Sequence, residues 1–276
     1  MTQMPVSLNF RKSGKGPILV ILHGLFGSSD NWMSIAKKLE EHFTVIIPDL
    51  RNHGQSPHTL THTYEDMTDD LELFLNINKI DKVSLLGHSM GGKVAMMFSS
   101  CFPEKTNNLI IADIAPKSYR QDTSPITHSE QNELIIRLMG ELDLTTVSTR
   151  KEIDQFLSQK LDDIVLRQFI LKNISRDRDG HFYWKINLPV LRDSLDIILH
   201  DVNPAWFEDK KPILNYPVTF IRGLNSEYIE DQDIPNIKDI YPEAVIIDIP
   251  GAGHWLHAEQ PELFVEAVLK SLISTR

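Results

Sequence analysis

The chain has 276 residues, enough for one large α/β domain or two small ones. Its 28 basic and 38 acidic side chains give a net charge of −10, which argues against a nucleic-acid binder and against docking on anionic membranes. The single cysteine, Cys101, excludes an intramolecular disulfide and a cysteine metal cluster, and no apolar run approaches membrane-spanning length.

The N-terminus, MTQMPVSLNFRKSG, lacks the apolar core of a signal peptide, so a reducing cytoplasm is the expected location. Val6 to Arg11 alternates weakly and is expected to form a leading antiparallel strand. A turn cluster follows, Ser13 to Pro17. Ile18 to Leu22 reads as an apolar strand that runs into His23-Gly24-Leu25-Phe26-Gly27-Ser28. Asp30 or Asn31 is then expected to cap a helix through Trp32, Ile35 and Leu39. Phe43 to Pro48 is a second apolar strand, ending in the polar loop Asp49 to Ser56. From Tyr64 to Ile80, Met67, Leu71, Phe74 and Leu75 share one helical face.

Val83 to Gly92 reads VSLLGHSMGG: an apolar strand closed by the G-x-S-x-G pattern of a nucleophile elbow, Gly87-His88-Ser89-Met90-Gly91. A serine standing proud of a sheet edge needs a sharp strand-to-helix turn, and small residues two before and two after it make room for that turn. The following helix, Gly91 to about Phe102, aims its N-terminus at Ser89, where negative charge is favoured. It carries Met96, Met97 and Cys101, and Cys101 is expected to pack as a small hydrophobe. Leu109 to Ala112 is a further strand ending at Asp113.

Apolar strands without alternation, separated by helices, predict a mostly parallel sheet covered on both faces. His23, Asp49, Ser89 and Asp113 all fall at strand carboxyl ends, where such folds bind ligands. After Pro116 the signals turn helical: Glu130 to Leu144, Arg150 to Ile174, and Leu188 to Leu199, with a polar-aromatic piece at Asp179 to Trp184. The expected organisation is a core formed by 1–116 and 204–276, with a helical cap at 117–203. Strands resume at Pro217 to Gly223 and Ala244 to Ile249, and Pro261 opens a closing amphipathic helix.

Nucleophilic acyl transfer needs a hydroxyl, an imidazole to take its proton, and a carboxylate to orient the imidazole. Ser89 supplies the first. His254, in the loop Gly251-Ala252-Gly253-His254 after the last strand, is the expected base, ahead of His257. The acid is open. The usual place after the penultimate strand holds Ser226, which cannot balance an imidazolium by charge. Asp113 is favoured, with Ser226 as an accessory hydrogen-bonding neighbour and Glu227, Glu230 or Asp231 as alternatives. The oxyanion hole is expected from the amides of Met90 and Leu25, with Phe26 in reserve for Leu25. His23 and His88 read as structural, and His58 and His62 as a solvated pair rather than metal ligands. This chemistry requires no cofactor and no metal. Oligomeric state has no signature in the sequence.

Taken together, HGLFGSSDNW, PDLRNHGQSP, GHSMGGK, ADIAP and GAGHWLHAEQP give a chain that resembles the α/β-hydrolase superfamily. It looks like the capped small esterases of the bacterial YbfF type, related to animal abhydrolase domain-containing proteins. The resemblance implies carboxylesterase activity, with acyl-CoA thioester hydrolysis in some members, an acid at Asp113 and a serine near Ser226. Ser89 sets the chain apart from dehalogenases and epoxide hydrolases, which use an aspartate nucleophile. The expected function is cleavage of small to medium acyl esters or acyl-CoA thioesters through an acyl-enzyme intermediate, with a small-molecule acyl ester or thioester as substrate. The rivals are a non-hydrolytic binding protein on the same scaffold, and a lyase or C–C bond hydrolase with the same triad.

Overall fold

The computed structural model describes residues 4–119, 128–200 and 205–273. Nine strands occur among them: β1 (Phe10–Ser13), β2 (Ile18–Leu22), β3 (Thr44–Pro48), β4 (Val83–His88), β5 (Thr106–Ala112), β6 (Ile174–Arg176), β7 (Phe182–Trp184), β8 (Val218–Gly223) and β9 (Val245–Ile249). Seven form one sheet in the order β1-β3-β2-β4-β5-β8-β9. All neighbours in it are parallel except β1, which runs antiparallel to β3. The helices are α1 (Met33–Leu39), α2 (Tyr64–Ile77), α3 (Met90–Cys101), α4 (His128–Glu141), α5 (Arg150–Ser158), α6 (Ile164–Leu171), α7 (Leu188–Asp193), α8 (Leu195–His200), α9 (Ala205–Glu208), α10 (Ile234–Ile240), α11 (Leu256–Glu259) and α12 (Pro261–Ile273).

The unbroken apolar runs follow from burial on both sides of the sheet. In β2, Val20 and Leu22 face a core built with Met67 and Leu71 of α2 and Val94 and Phe98 of α3. Leu19 and Ile21 face the opposite core, with Ile35 and Leu39 of α1 and Phe264 and Val268 of α12. A third core lies in the helical segment between β5 and β8, where Leu138, Leu157, Ile170 and Leu191 pack together with Phe26.

Several local expectations shift. The first strand starts at Phe10 rather than Val6, because the amides of Val6 and Asn9 go to Asp70 Oδ1 (2.7 Å) and Ser56 Oγ (2.8 Å) instead of a ladder. The turn after His23 is capped by Ser28, whose amide donates to Asn31 Oδ1 (2.9 Å), and a 3₁₀ turn over Ser29–Trp32 leads into α1. The expected helix from Arg150 to Ile174 is two helices: Asp163 accepts from the Val165 and Leu166 amides and starts α6 anew, an N-cap worth about 1 kcal/mol. Leu188 to Leu199 likewise divides at Ser194 into α7 and α8. Asp179 to Trp184 belongs to a hairpin, with β7 antiparallel to β6. Cys101 is exposed at the end of α3, its Sγ 3.7 Å from Lys210 Nζ, and is not packed in the core. The expected cap limits, 117–203, include 120–127 and 201–203, which lie outside the described residues.

Candidate active site

Ser89 sits between β4 and α3 with φ 52° and ψ −122°, a conformation an L-residue rarely adopts. Hydrogen bonds on both sides hold it there. Its amide donates to Ala112 O (3.1 Å) and finishes the β4–β5 ladder, while its carbonyl accepts from Gly92 (2.8 Å) and Lys93 (3.2 Å) and opens the helix. A Cβ at Gly87 would run into the Gly91 carbonyl, and one at Gly91 into that of Leu22, so the elbow needs glycine at both places.

Asp113 follows β5 with φ 50°, and its amide donates to Ile221 O (2.8 Å) in β8. The side chain is fully buried. Oδ1 accepts from the Gly223 amide (3.1 Å); Oδ2 accepts from Ser226 Oγ and from His254 Nδ1 (2.8 Å). Three donors converge on one carboxylate, the complement of an anion. The Nδ1 edge of the His254 ring is thereby turned to the carboxylate. Asp231 pairs with Arg222 (2.8 Å) and Glu230 lies 4.0 Å from Lys117, while Glu227 is exposed in an outer groove. The carboxylate on the His254 ring is that of Asp113, and Ser226 is its hydrogen-bonding neighbour.

Ser89, Met90, Leu25 and His254 line one cavity of about 60 Å³. Met90 is the first residue of α3, so its amide has no partner inside the helix. Gly27 N donates to Gly24 O (3.0 Å), closing a turn with Leu25 and Phe26 at its centre and φ 59° at Phe26. His53 Nε2 accepts the Phe26 amide (3.2 Å), which removes Phe26 from the candidate oxyanion donors and leaves Leu25. Asn173 Nδ2 donates to the Phe26 carbonyl (2.7 Å), tying the same turn to the helical segment.

Five further histidines surround these groups, and burial keeps them neutral. His88 is pushed down to about 3 by desolvation first and by His254 second. His62 falls to about 3 through desolvation and the Arg51 charge. His23, His53 and His257 are also lowered, desolvation being the largest cause in each. Each neutral ring has structural work. His23 Nε2 accepts the Leu50 amide (3.0 Å), and His88 Nε2 donates to the His254 carbonyl (2.8 Å). His257 stacks on Trp32 with centroids 4.2 Å apart, away from the carboxylate that serves His254. His62 is fully buried against Met90 Sδ, which corrects the expected solvated pair with His58.

The loop after β3 is held by Arg51, fully buried between Asp66 (3.0 Å) and Asp70 (2.6 Å) of α2. Removing one partner of such a buried pair typically costs about 3–5 kcal/mol.

Tyr228 went unnoticed in the sequence. Its ring stacks on His254 with centroids 3.7 Å apart and 14° between planes. Tyr119 Oη donates to the Tyr228 carbonyl (2.6 Å) and accepts from the Ala115 amide (2.8 Å), binding the Tyr228 loop to the segment that carries Asp113.

A family model described as the alpha/beta hydrolase fold matches residues 17–261. The chain belongs to the α/β-hydrolase family. This α/β-hydrolase is 36% identical over 98% of its length to a Danio rerio protein named sn-1-specific diacylglycerol lipase ABHD11, covering 84% of that protein. It is 34% identical to Esterase YbfF of Escherichia coli, with 92% of each chain covered. Among solved structures, one titled Marine microorganism esterase superposes with a TM-score of 0.91 at 44% identity, over 97% of this chain and 100% of that one. No described helix of the hydrolase is long and apolar enough to cross a membrane.

Proposed function

We propose that the protein is a serine hydrolase that cleaves small to medium acyl esters or thioesters through an acyl-enzyme. Ser89 Oγ attacks the acyl carbon while His254 Nε2 takes its proton. The imidazolium that forms keeps its Nδ1–H on Asp113 and its face on Tyr228. The Leu25 and Met90 amides receive the oxyanion. The tetrahedral adduct then expels the alcohol or thiol, which takes the proton from Nε2. Water, deprotonated by the same nitrogen, releases the acid and restores Ser89.

The 2.8 Å bond from His254 Nδ1 to Asp113 Oδ2 carries this reading, because it gives the imidazole the tautomer a base needs. In the same reading, 117–203 caps the core of 1–116 and 204–276, and the protein works in the cytoplasm. The test is labelling by a fluorophosphonate probe: the wild type is modified at Ser89 and Ser89→Ala is not. Absence of labelling in a folded wild type favours the binding role, and profiling against C–C bond substrates separates the lyase alternative.

A further inference from the structure

A second groove, of about 500 Å³, has His254 in its wall and is not lined by Ser89. It shares Gln131, Tyr228, His254 and Trp255 with the cavity that contains Ser89, Leu25 and Met90, and none of the last three residues lines it. The two spaces therefore share a wall that includes the imidazole. In the hydrolase mechanism the acyl carbon stays on Ser89 Oγ beside the oxyanion amides, and the leaving atom receives its proton from His254 Nε2. When the tetrahedral adduct collapses, the carbon–oxygen or carbon–sulfur bond breaks and its electron pair goes to the leaving atom.

The groove is lined by three carboxylates, Asp163, Glu227 and Glu259, and by no lysine or arginine among the described residues. Two of the three are fixed in place. Glu259 accepts from the Gly253 amide (2.7 Å) and the Trp255 amide (3.1 Å), on either side of His254. Asp163 accepts from two amides as the cap of α6. A phosphate-bearing leaving group in this groove would lie beside like charges, with no lysine or arginine among the groove's described lining residues; Arg137, Lys160 and Arg192 line the adjoining groove that shares Asp163 and Gln131. A neutral leaving group meets no such barrier.

We infer that, resting on the hydrolase reading above, the leaving portion of the substrate extends into this groove, so that the enzyme takes substrates with neutral leaving groups and discriminates against phosphate-bearing ones such as coenzyme A. The acidic groove past His254 sets that choice.

The experiment compares butyryl-pantetheine with butyryl-coenzyme A, which share the acyl group, the sulfur and the pantetheine arm and differ in the phosphate-bearing nucleotide. Wild-type enzyme is expected to cleave the pantetheine thioester with a kcat/KM at least about tenfold higher at low ionic strength. Both added salt and Glu227→Lys should narrow that ratio severalfold. A ratio near one overturns the inference, as does a ratio that neither salt nor Glu227→Lys moves, or failure to cleave the neutral thioester. Ser89-dependent cleavage of p-nitrophenyl butyrate, measured alongside, reports the hydrolase reading separately. If it persists while the ratio fails, only the leaving-group inference falls; if it is absent, the hydrolase reading falls first.

Discussion

Tyr228 lies flat on His254, with ring centroids 3.7 Å apart and planes within 14°. An imidazole that gains a proton during turnover becomes a cation on the face of a π-system, an interaction worth about 1–2 kcal/mol when desolvated. The stacking also prevents the ring from turning about its bond to Asp113. Tyr228→Ala is therefore expected to lower kcat by roughly five- to thirtyfold with little change in KM. Tyr228→Phe, which keeps the ring, should retain most of the activity. Steady-state kinetics on p-nitrophenyl butyrate separate the two.

Asp113 is the proposed acid, and its replacement is expected to be far more damaging than that of any nearby carboxylate. Asp113→Asn keeps the volume but presents a donor to His254 Nδ1, so the imidazole loses the tautomer it needs. A fall of about 10³–10⁴ in kcat is expected. Glu227→Gln and Asp231→Asn should stay within a few-fold of wild type on the same ester. The reverse ranking would move the acid to the loop after β8.

How far this site was legible in the sequence depends on the range of each signal. The elbow at Ser89 was readable because its steric needs are local: glycine two residues either side, an apolar strand before and a helix after. His254 was readable from its place after the last strand. The acid stayed open between Asp113 and the acids after Gly223, because the choice turns on a contact between residues 141 positions apart. Ser226 stands where an acid would be expected; in space it donates to the Asp113 carboxylate. Tyr228, His53 and Asn173 gave no signal, since a ring stack and two bonds to a turn backbone have no sequence spacing. The long helix expected from Arg150 broke because Asp163 offers two amides a better partner than a continued helix does.

Asn173 holds the Phe26 carbonyl from the helical segment, and His53 holds the Phe26 amide from the core. Together they fix the turn that presents the Leu25 amide. Asn173→Ala removes one anchor and leaves a buried carbonyl unpaired, at a cost of about 1–3 kcal/mol. Expected results are a roughly tenfold or larger loss in kcat, in line with displacement of one oxyanion donor, and a lower urea midpoint. Unchanged kcat together with a lower midpoint would confine Asn173 to stability.

The neutral histidines make folding sensitive to acid. His62 and His88 are held near 3, against an ordinary value of 6.5. Between those two values the unfolded chain binds protons that the folded chain refuses, so stability rises with pH and is lost as pH falls below 6.5. Each such histidine contributes a slope of up to about 1.4 kcal/mol per pH unit in that window. His23, His53 and His257 act in the same direction. Urea unfolding at pH 7.5, 6.0 and 5.0 should show a midpoint that drops steadily over the last two. His88→Gln, which keeps a donor for the His254 carbonyl, should flatten the drop.

The most direct test of the central claim is to capture the covalent intermediate. Enzyme mixed with p-nitrophenyl butyrate and quenched in acid within the first turnovers is digested and examined by mass spectrometry. The expected result is a butyryl group on the peptide containing Ser89, absent from Ser89→Ala and accumulating further in His254→Ala only if another base deprotonates the serine. A turning-over enzyme with no acyl adduct, or with the adduct on another residue, would contradict the account.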